Sequence, residues 1–177
     1  MNPNKIVLVG MPGSGKSTLG VELAKQLGFS FYDLDTLIEQ REKSGISDIF
    51  SAKGEGYFRK LESAVLKGVL LRDESFILAT GGGAPCFNEN MALINEHGLS
   101  VYLDVPLNQI LNRLTSNQIE IRPLFAGLET GEIILKLKNM YFERQKYYEK
   151  AIIKLRGEDI STELLISEWM RILKIKS

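Results

Sequence analysis

The stretch Ile6-Val7-Leu8-Val9-Gly10-Met11-Pro12-Gly13-Ser14-Gly15-Lys16-Ser17 decides the fold. Its first four residues are apolar and mostly β-branched, which reads as a strand buried on both faces and ending at Gly10. The eight residues from Gly10 fit the pattern GxxxxGK[ST] in the setting that gives it physical meaning, after a strand and before a helix. Leu19, Leu23 and Leu27 recur at four-residue steps and predict that helix, with Gly28 as its stop. Glycines in such a loop let main-chain amides converge on phosphate oxygens, and the helix N-terminus adds its positive end. Lys16 is expected to reach the β and γ phosphates of a nucleotide. Ser17 is expected to offer its hydroxyl to Mg2+, a hard ion that prefers oxygen. The bland alternative is a glycine-rich turn with an N-capping serine.

Beyond this unit, strand-like segments at 29–34, 76–80, 99–105 and 152–155 alternate with helical ones at 36–44, 55–72, 88–97, 107–116 and 130–149. A last helix carries Leu165, Trp169, Ile172 and Leu173 on one face. This alternation predicts an α/β protein, a parallel sheet with helices on both faces. A chain of 177 residues is expected to form one domain, 1–177. Its 22 basic and 22 acidic side chains cancel, which excludes a nucleic-acid binder held by bulk positive charge. The apolar run 6–9 is far too short to span a bilayer, and Cys86 stands alone, so no disulfide framework exists. A cytoplasmic protein with no nucleic-acid or membrane partner, and a monomer, is expected. The segment 116–131 lacks periodicity and holds Pro123 and two glycines, which is the pattern of a mobile lid.

Asp33 and Asp35 close the second predicted strand, and their two-residue spacing predicts that both carboxylates share a face. Strand C-termini of an open parallel sheet border the ligand crevice, so both are expected near the γ-phosphate. Asp33 can hold Mg2+ through water, and Asp35 can orient an acceptor hydroxyl and take its proton. The alternative makes Asp35 a helix N-cap. Gly81-Gly82-Gly83 follows the third strand, where missing side chains let a ligand approach the main chain. Arg59 and Glu62 are three apart on a helix and can pair, in the dull case as an exposed ion pair. If Arg59 and Arg144 both face the crevice, they can clamp a carboxylate. An aspartate for a hydroxyl and arginines for an acid group together suit a small hydroxylated carboxylic acid. His97 and Cys86 have no partners in sequence that suggest a metal or a nucleophile.

These residues resemble the shikimate kinase family, P-loop kinases that phosphorylate the 3-hydroxyl of shikimate with ATP on the route to chorismate. The similarity lies in the loop at 10–17, Asp33-Leu34-Asp35, Asp48-Ile49-Phe50, Phe58-Arg59-Lys60-Leu61-Glu62, the triple glycine, Arg122-Pro123-Leu124, and Arg144 with Tyr148 and Ala151. The resemblance implies a three-layer P-loop fold with strand order 2-3-1-4-5 and a closing lid. It implies ATP as co-substrate, with Mg2+ held by Ser17 and Asp33. Contacts to ATP would come from Gly13, Ser14, Gly15, Lys16, Ser17, Thr18, Arg113 against adenine, and Arg122 from the lid. Shikimate would meet Asp35, Arg59, Gly82, Gly83 and Arg144, with Glu62 supporting Arg59 and with Phe50 and Phe58 packed against its ring. Lys16, Asp35 and Arg122 would carry the chemistry. The stretch 154–160 departs from the family, lacking a proline-bearing adenine loop. The rival readings are gluconate kinase or another small-metabolite kinase of this fold, and a nucleotide-binding regulatory module without catalysis.

Overall fold

In the computed structural model, which describes residues 1–116 and 127–176, the first strand starts earlier than its apolar run and forms β1 (Asn2–Val9). Ile6, Val7, Leu8 and Val9 are all 0% exposed, as a central strand requires. β1 pairs in parallel with β3 (Phe76–Ala79) on one side and β4 (Gly98–Asp104) on the other. β2 (Ser30–Asp33) and β5 (Ile153–Arg156) complete the sheet in the order β2-β3-β1-β4-β5, which is the expected 2-3-1-4-5.

The two faces follow from the two-residue period of a strand. Ile6 and Leu8 join Ile77, Leu99, Val101 and Leu103 against Leu23 of α1 (Lys16–Leu27) and Leu165 of α7 (Thr162–Lys176). Val7 and Val9 point the other way, into a cluster with Leu78 and Tyr102. That side is covered by α2 (Leu34–Glu42), α3 (Ile46–Leu70), α4 (Asn90–His97), α5 (Leu107–Ser116) and α6 (Thr130–Tyr148). Burying one such side chain stabilises by about 1.5–3 kcal/mol, and a one-residue slip of β1 would exchange its two faces. The register that places the phosphate loop is therefore strongly determined.

Helix boundaries differ from expectation for identifiable reasons. α2 begins at Leu34, two residues early, because the Asp33 side chain accepts from the Asp35 amide and caps it. α3 begins at Ile46, and its backbone leaves helical geometry at Gly54 (φ 76°, ψ 168°). The two glycines at 54 and 56 mask the helical period of the short arm before the kink. That arm is tied to α2 by Lys53 with Glu42 at 2.7 Å and by the Ile46 amide donating to Glu39 Oε1 at 3.0 Å. Among the described residues no helix is long and apolar enough to cross a membrane. Most of the segment expected to form a lid, 117–126, lies outside the described residues.

Candidate active site

The loop after β1 runs over the C-terminal edge of the sheet. Gly10, at φ +144°, has its back against β4, where a Cβ would lie 2.8 Å from the Leu103 carbonyl oxygen. A side chain there would be strained in backbone and blocked by main chain at once. The Ser14 amide donates to the Met11 carbonyl at 3.2 Å, folding the loop, and left-handed Gly15 hands the chain to α1. Lys16 spans this loop, its Nζ donating to the carbonyls of Gly10 at 3.0 Å and Met11 at 2.8 Å. The Ser17 hydroxyl donates to Asp33 Oδ2 at 2.7 Å. The two residues expected at Mg2+ are thus adjacent, and both present hard oxygen atoms, a donor set that fits this ion.

Beside the loop lies a cavity of about 380 Å³ bordered by Ser14, Gly15, Thr18 and Arg113. Arg113, from α5, donates to Gln109 Oε1 at 2.9 Å, and its Nη1 is 3.5 Å from the Gly13 carbonyl oxygen. The far wall is Ile160, Ser161, Thr162 and Glu163, where the chain enters α7. Sequence reasoning missed this wall. An adenine loop is expected after the fifth strand, but 154–160 lacks the family's proline-bearing pattern, so none of these residues is singled out by the sequence. Arg122 lies outside the described residues.

The residues expected to bind the acceptor gather on the other side of the loop. Asp33 and Asp35 do not project from one strand face, because β2 ends at Asp33 and Asp35 stands in the first turn of α2. Asp33, not Asp35, caps that helix. Released from capping, the Asp35 carboxylate faces Gly81, where a Cβ would lie 2.8 Å from Asp35 Oδ1 and 3.3 Å from Glu62 Oε1. Nor is the pair of Arg59 and Glu62 an exposed one: Arg59 Nη1 is 2.8 Å from Glu62 Oε2, with side-chain exposures of 14% and 1%. Burial pushes the Glu62 carboxyl up to about 7; Arg59 pulls it down, Asp35 adds upward pressure, and Arg144 pulls it down again. Four charged groups from α2, α3 and α6 therefore share one electrostatic neighbourhood.

Arg59 is held in place on all sides. Glu55 accepts from its Nε and Nη2 at 3.2 Å, an i,i+4 pairing legible in the sequence but not singled out there. The guanidinium lies 4.2 Å from the Phe87 ring centroid, 5.1 Å from that of Phe58 and 5.8 Å from that of Phe50. Phe50 and Phe58 also stack on each other at 4.3 Å. A Cβ on Gly83 would come within 2.8 Å of Arg59 Nη1. Gly82 joins the two halves of the site, since its own Cβ would be 2.7 Å from Pro12 Cδ in the phosphate loop. Gly82→Ala is expected to push these loops apart and lower kcat/KM about 10²-fold, because a shift of order 1 Å in reacting groups costs that much. Steady-state kinetics on the folded variant, checked by circular dichroism, measures it.

The shikimate kinase family model matches residues 12–174 of this chain. The chain belongs to the shikimate kinase family. A shikimate kinase of Clostridium botulinum (strain ATCC 19397 / Type A) is 42% identical over 146 residues, covering 82% of this chain and 83% of the relative. The crystal structure of shikimate kinase from Bacteroides thetaiotaomicron superposes with a TM-score of 0.88 at 32% identity, covering 96% of this chain and 98% of that one. Shikimate kinase from Acinetobacter baumannii, in complex with shikimate, gives a TM-score of 0.83 at 31% identity, covering 98% and 94%. Similarity to shikimate kinases thus spans both the phosphate loop and the elements that carry Asp35, Arg59, Glu62, Gly82, Gly83 and Arg144.

Proposed function

We propose that this chain transfers the γ-phosphoryl group of ATP to the 3-hydroxyl of shikimate, a step in aromatic amino-acid biosynthesis. The observation that carries this reading is the meeting of Asp35 with the Arg59 and Glu62 pair around Gly81 to Gly83, separated from the phosphate loop only by the contact of Gly82 with Pro12. A phosphate acceptor would need no base and would be repelled by Asp35. An alcohol needs orientation and a place for its proton, and a carboxylate supplies both.

In this reaction the hydroxyl oxygen of shikimate bonds to the γ-phosphorus, the bond from that phosphorus to the bridging oxygen breaks, and ADP leaves with the electron pair. Asp35 accepts the hydroxyl proton. Lys16 and the amides of Gly13, Ser14 and Gly15 stabilise charge on the phosphate oxygens, and Ser17 and Thr18 stand at the start of the same helix. Ser17 and Asp33 would hold Mg2+, which when bound neutralises charge between the β and γ phosphates. Arg113 bears on adenine through its place at the cavity beside the loop. Arg122, by its family motif, would bring a further charge to the transferring group from a lid at 116–131. Arg59 and Arg144 take the carboxylate of shikimate, Glu62 orients Arg59, Gly82 and Gly83 offer main chain, and Phe50 and Phe58 border the ring. A net charge of zero supports a protein that does not engage nucleic acid through bulk positive charge.

Mixing the protein with MgATP and shikimate, gluconate or AMP, and following ADP release, tests the assignment. Turnover with shikimate alone is expected, and turnover with gluconate or AMP in its place would overturn it. A pH effect follows from Glu62. A second carboxylate arriving on the Arg59 guanidinium raises the Glu62 pKa above its value of about 7, so binding at neutral pH takes up protons. Affinity for shikimate therefore falls as pH rises through 7. Calorimetry at pH 7 in buffers of different ionisation enthalpy is expected to show this uptake in the wild type and its loss in Glu62→Gln.

A further inference from the structure

The last turn of α6 carries a buried group that the transfer chemistry leaves unused. Tyr148 is 0% exposed, and its hydroxyl donates to the Gly82 carbonyl at 2.5 Å. Burial raises the phenol well above the ordinary tyrosine value, so it stays a donor across the working pH range. Its ring packs on that of Tyr102 at 5.2 Å, and Tyr102 in turn donates to Asp104 Oδ1 at 2.9 Å. The sheet thus holds the ring from behind while the hydroxyl faces the glycine loop. Arg144 stands one turn earlier, and its charge is felt by both Tyr148 and Glu62.

Three consecutive glycines lose more freedom on ordering than any other tripeptide. The loop closes on itself through the Ala84 amide to the Gly81 carbonyl at 3.1 Å and the Cys86 amide to the Gly83 carbonyl at 2.9 Å. Asn90 Nδ2 ties it from outside at the Ala84 carbonyl, also at 2.9 Å. The bond from Gly81 to Ala84 makes a β-turn with the peptide between Gly82 and Gly83 at its centre, which leaves that peptide two orientations. The bond from Tyr148 selects one of them. In a trans peptide the C=O and N–H point in opposite directions, so a carbonyl pinned toward the interior turns the Gly83 N–H away from Tyr148.

We propose that Tyr148 is a positioning residue for the acceptor: by fixing the Gly82 carbonyl it aims the Gly83 amide at a bound oxygen of shikimate, from the same helix that supplies Arg144. This rests on the acceptor reading given above. Tyr148→Phe keeps the ring and its packing and removes only the donor. The KM and Kd for shikimate are expected to rise about tenfold, with KM for ATP unchanged within about twofold. Amide hydrogen exchange is expected to accelerate in residues 81–86 and to stay unchanged in residues 10–17. An unchanged shikimate KM with unchanged exchange would overturn the proposal, as would equal loss of affinity for both substrates with faster exchange throughout. Arg144→Ala, measured alongside, separates two failures. If it raises the shikimate KM while Tyr148→Phe does not, only the positioning role is wrong. If the wild type does not turn over shikimate, or Arg144→Ala leaves its KM intact, the acceptor reading is wrong and this proposal falls with it.

Discussion

Asp35→Asn is expected to lower kcat for shikimate phosphorylation by a factor of about 10² to 10⁴, the range for loss of a positioned general base. The substitution preserves volume, and the cap of α2 stays intact because the Asp33 side chain accepts from the backbone amide of residue 35. It also relieves a buried electrostatic conflict. The Asp35 charge helps to raise the Glu62 carboxyl, so its removal lets Glu62 ionise more readily beside Arg59. ATP affinity is expected to be unchanged within about twofold, since the Asp35 carboxylate lies against Gly81. Single-turnover kinetics with calorimetric titration of nucleotide checks both halves. Wild-type turnover in this variant would remove Asp35 from the chemistry.

Arg59→Ala is expected to raise the KM for shikimate by about 10²-fold or more, as truncating one member of a desolvated charge pair does. The KM for ATP should change by no more than about twofold, because the guanidinium lies among Glu55, Glu62 and three aromatic rings, away from the cavity beside the phosphate loop. Removing one partner of a buried ion pair can destabilise by about 3–5 kcal/mol when the other charge is stranded. Here the loss is smaller. Glu62 already titrates near 7, so without Arg59 it takes up a proton and becomes neutral instead of remaining as an isolated buried charge. Parallel thermal unfolding and steady-state kinetics on both substrates measure the two effects. Equal weakening of ATP and shikimate would instead assign Arg59 a purely structural part.

The strand, loop and helix from Ile6 to Leu27 were legible because each level agrees: β-branched burial, glycines at positive φ and a four-residue leucine period all specify one unit. The geometry expected for Asp35 is not the one the structure has. Two-residue spacing predicts a shared strand face, but Asp33 ends the strand by capping α2, which sends the two carboxylates to different neighbours. Periodicity placed Arg59 and Glu62 on one helix without revealing that this face is buried, since the burial comes from loops far away in sequence. Phe87 over Arg59 and Ile160 to Glu163 around the cavity beside the phosphate loop carry no local pattern at all. Their positions are set by tertiary packing, and nothing in a short window records it.

The most direct test is the attachment point of the transferred phosphorus. Correlated phosphorus and proton nuclear magnetic resonance on the product formed from MgATP and shikimate reads it without reference to rate. If Asp35 steers the 3-hydroxyl toward a γ-phosphate cradled by the loop at 10–17, the phosphorus must couple to the proton on carbon 3. Coupling to a proton on carbon 4 or 5, or release of inorganic phosphate with no ester formed, would contradict that placement.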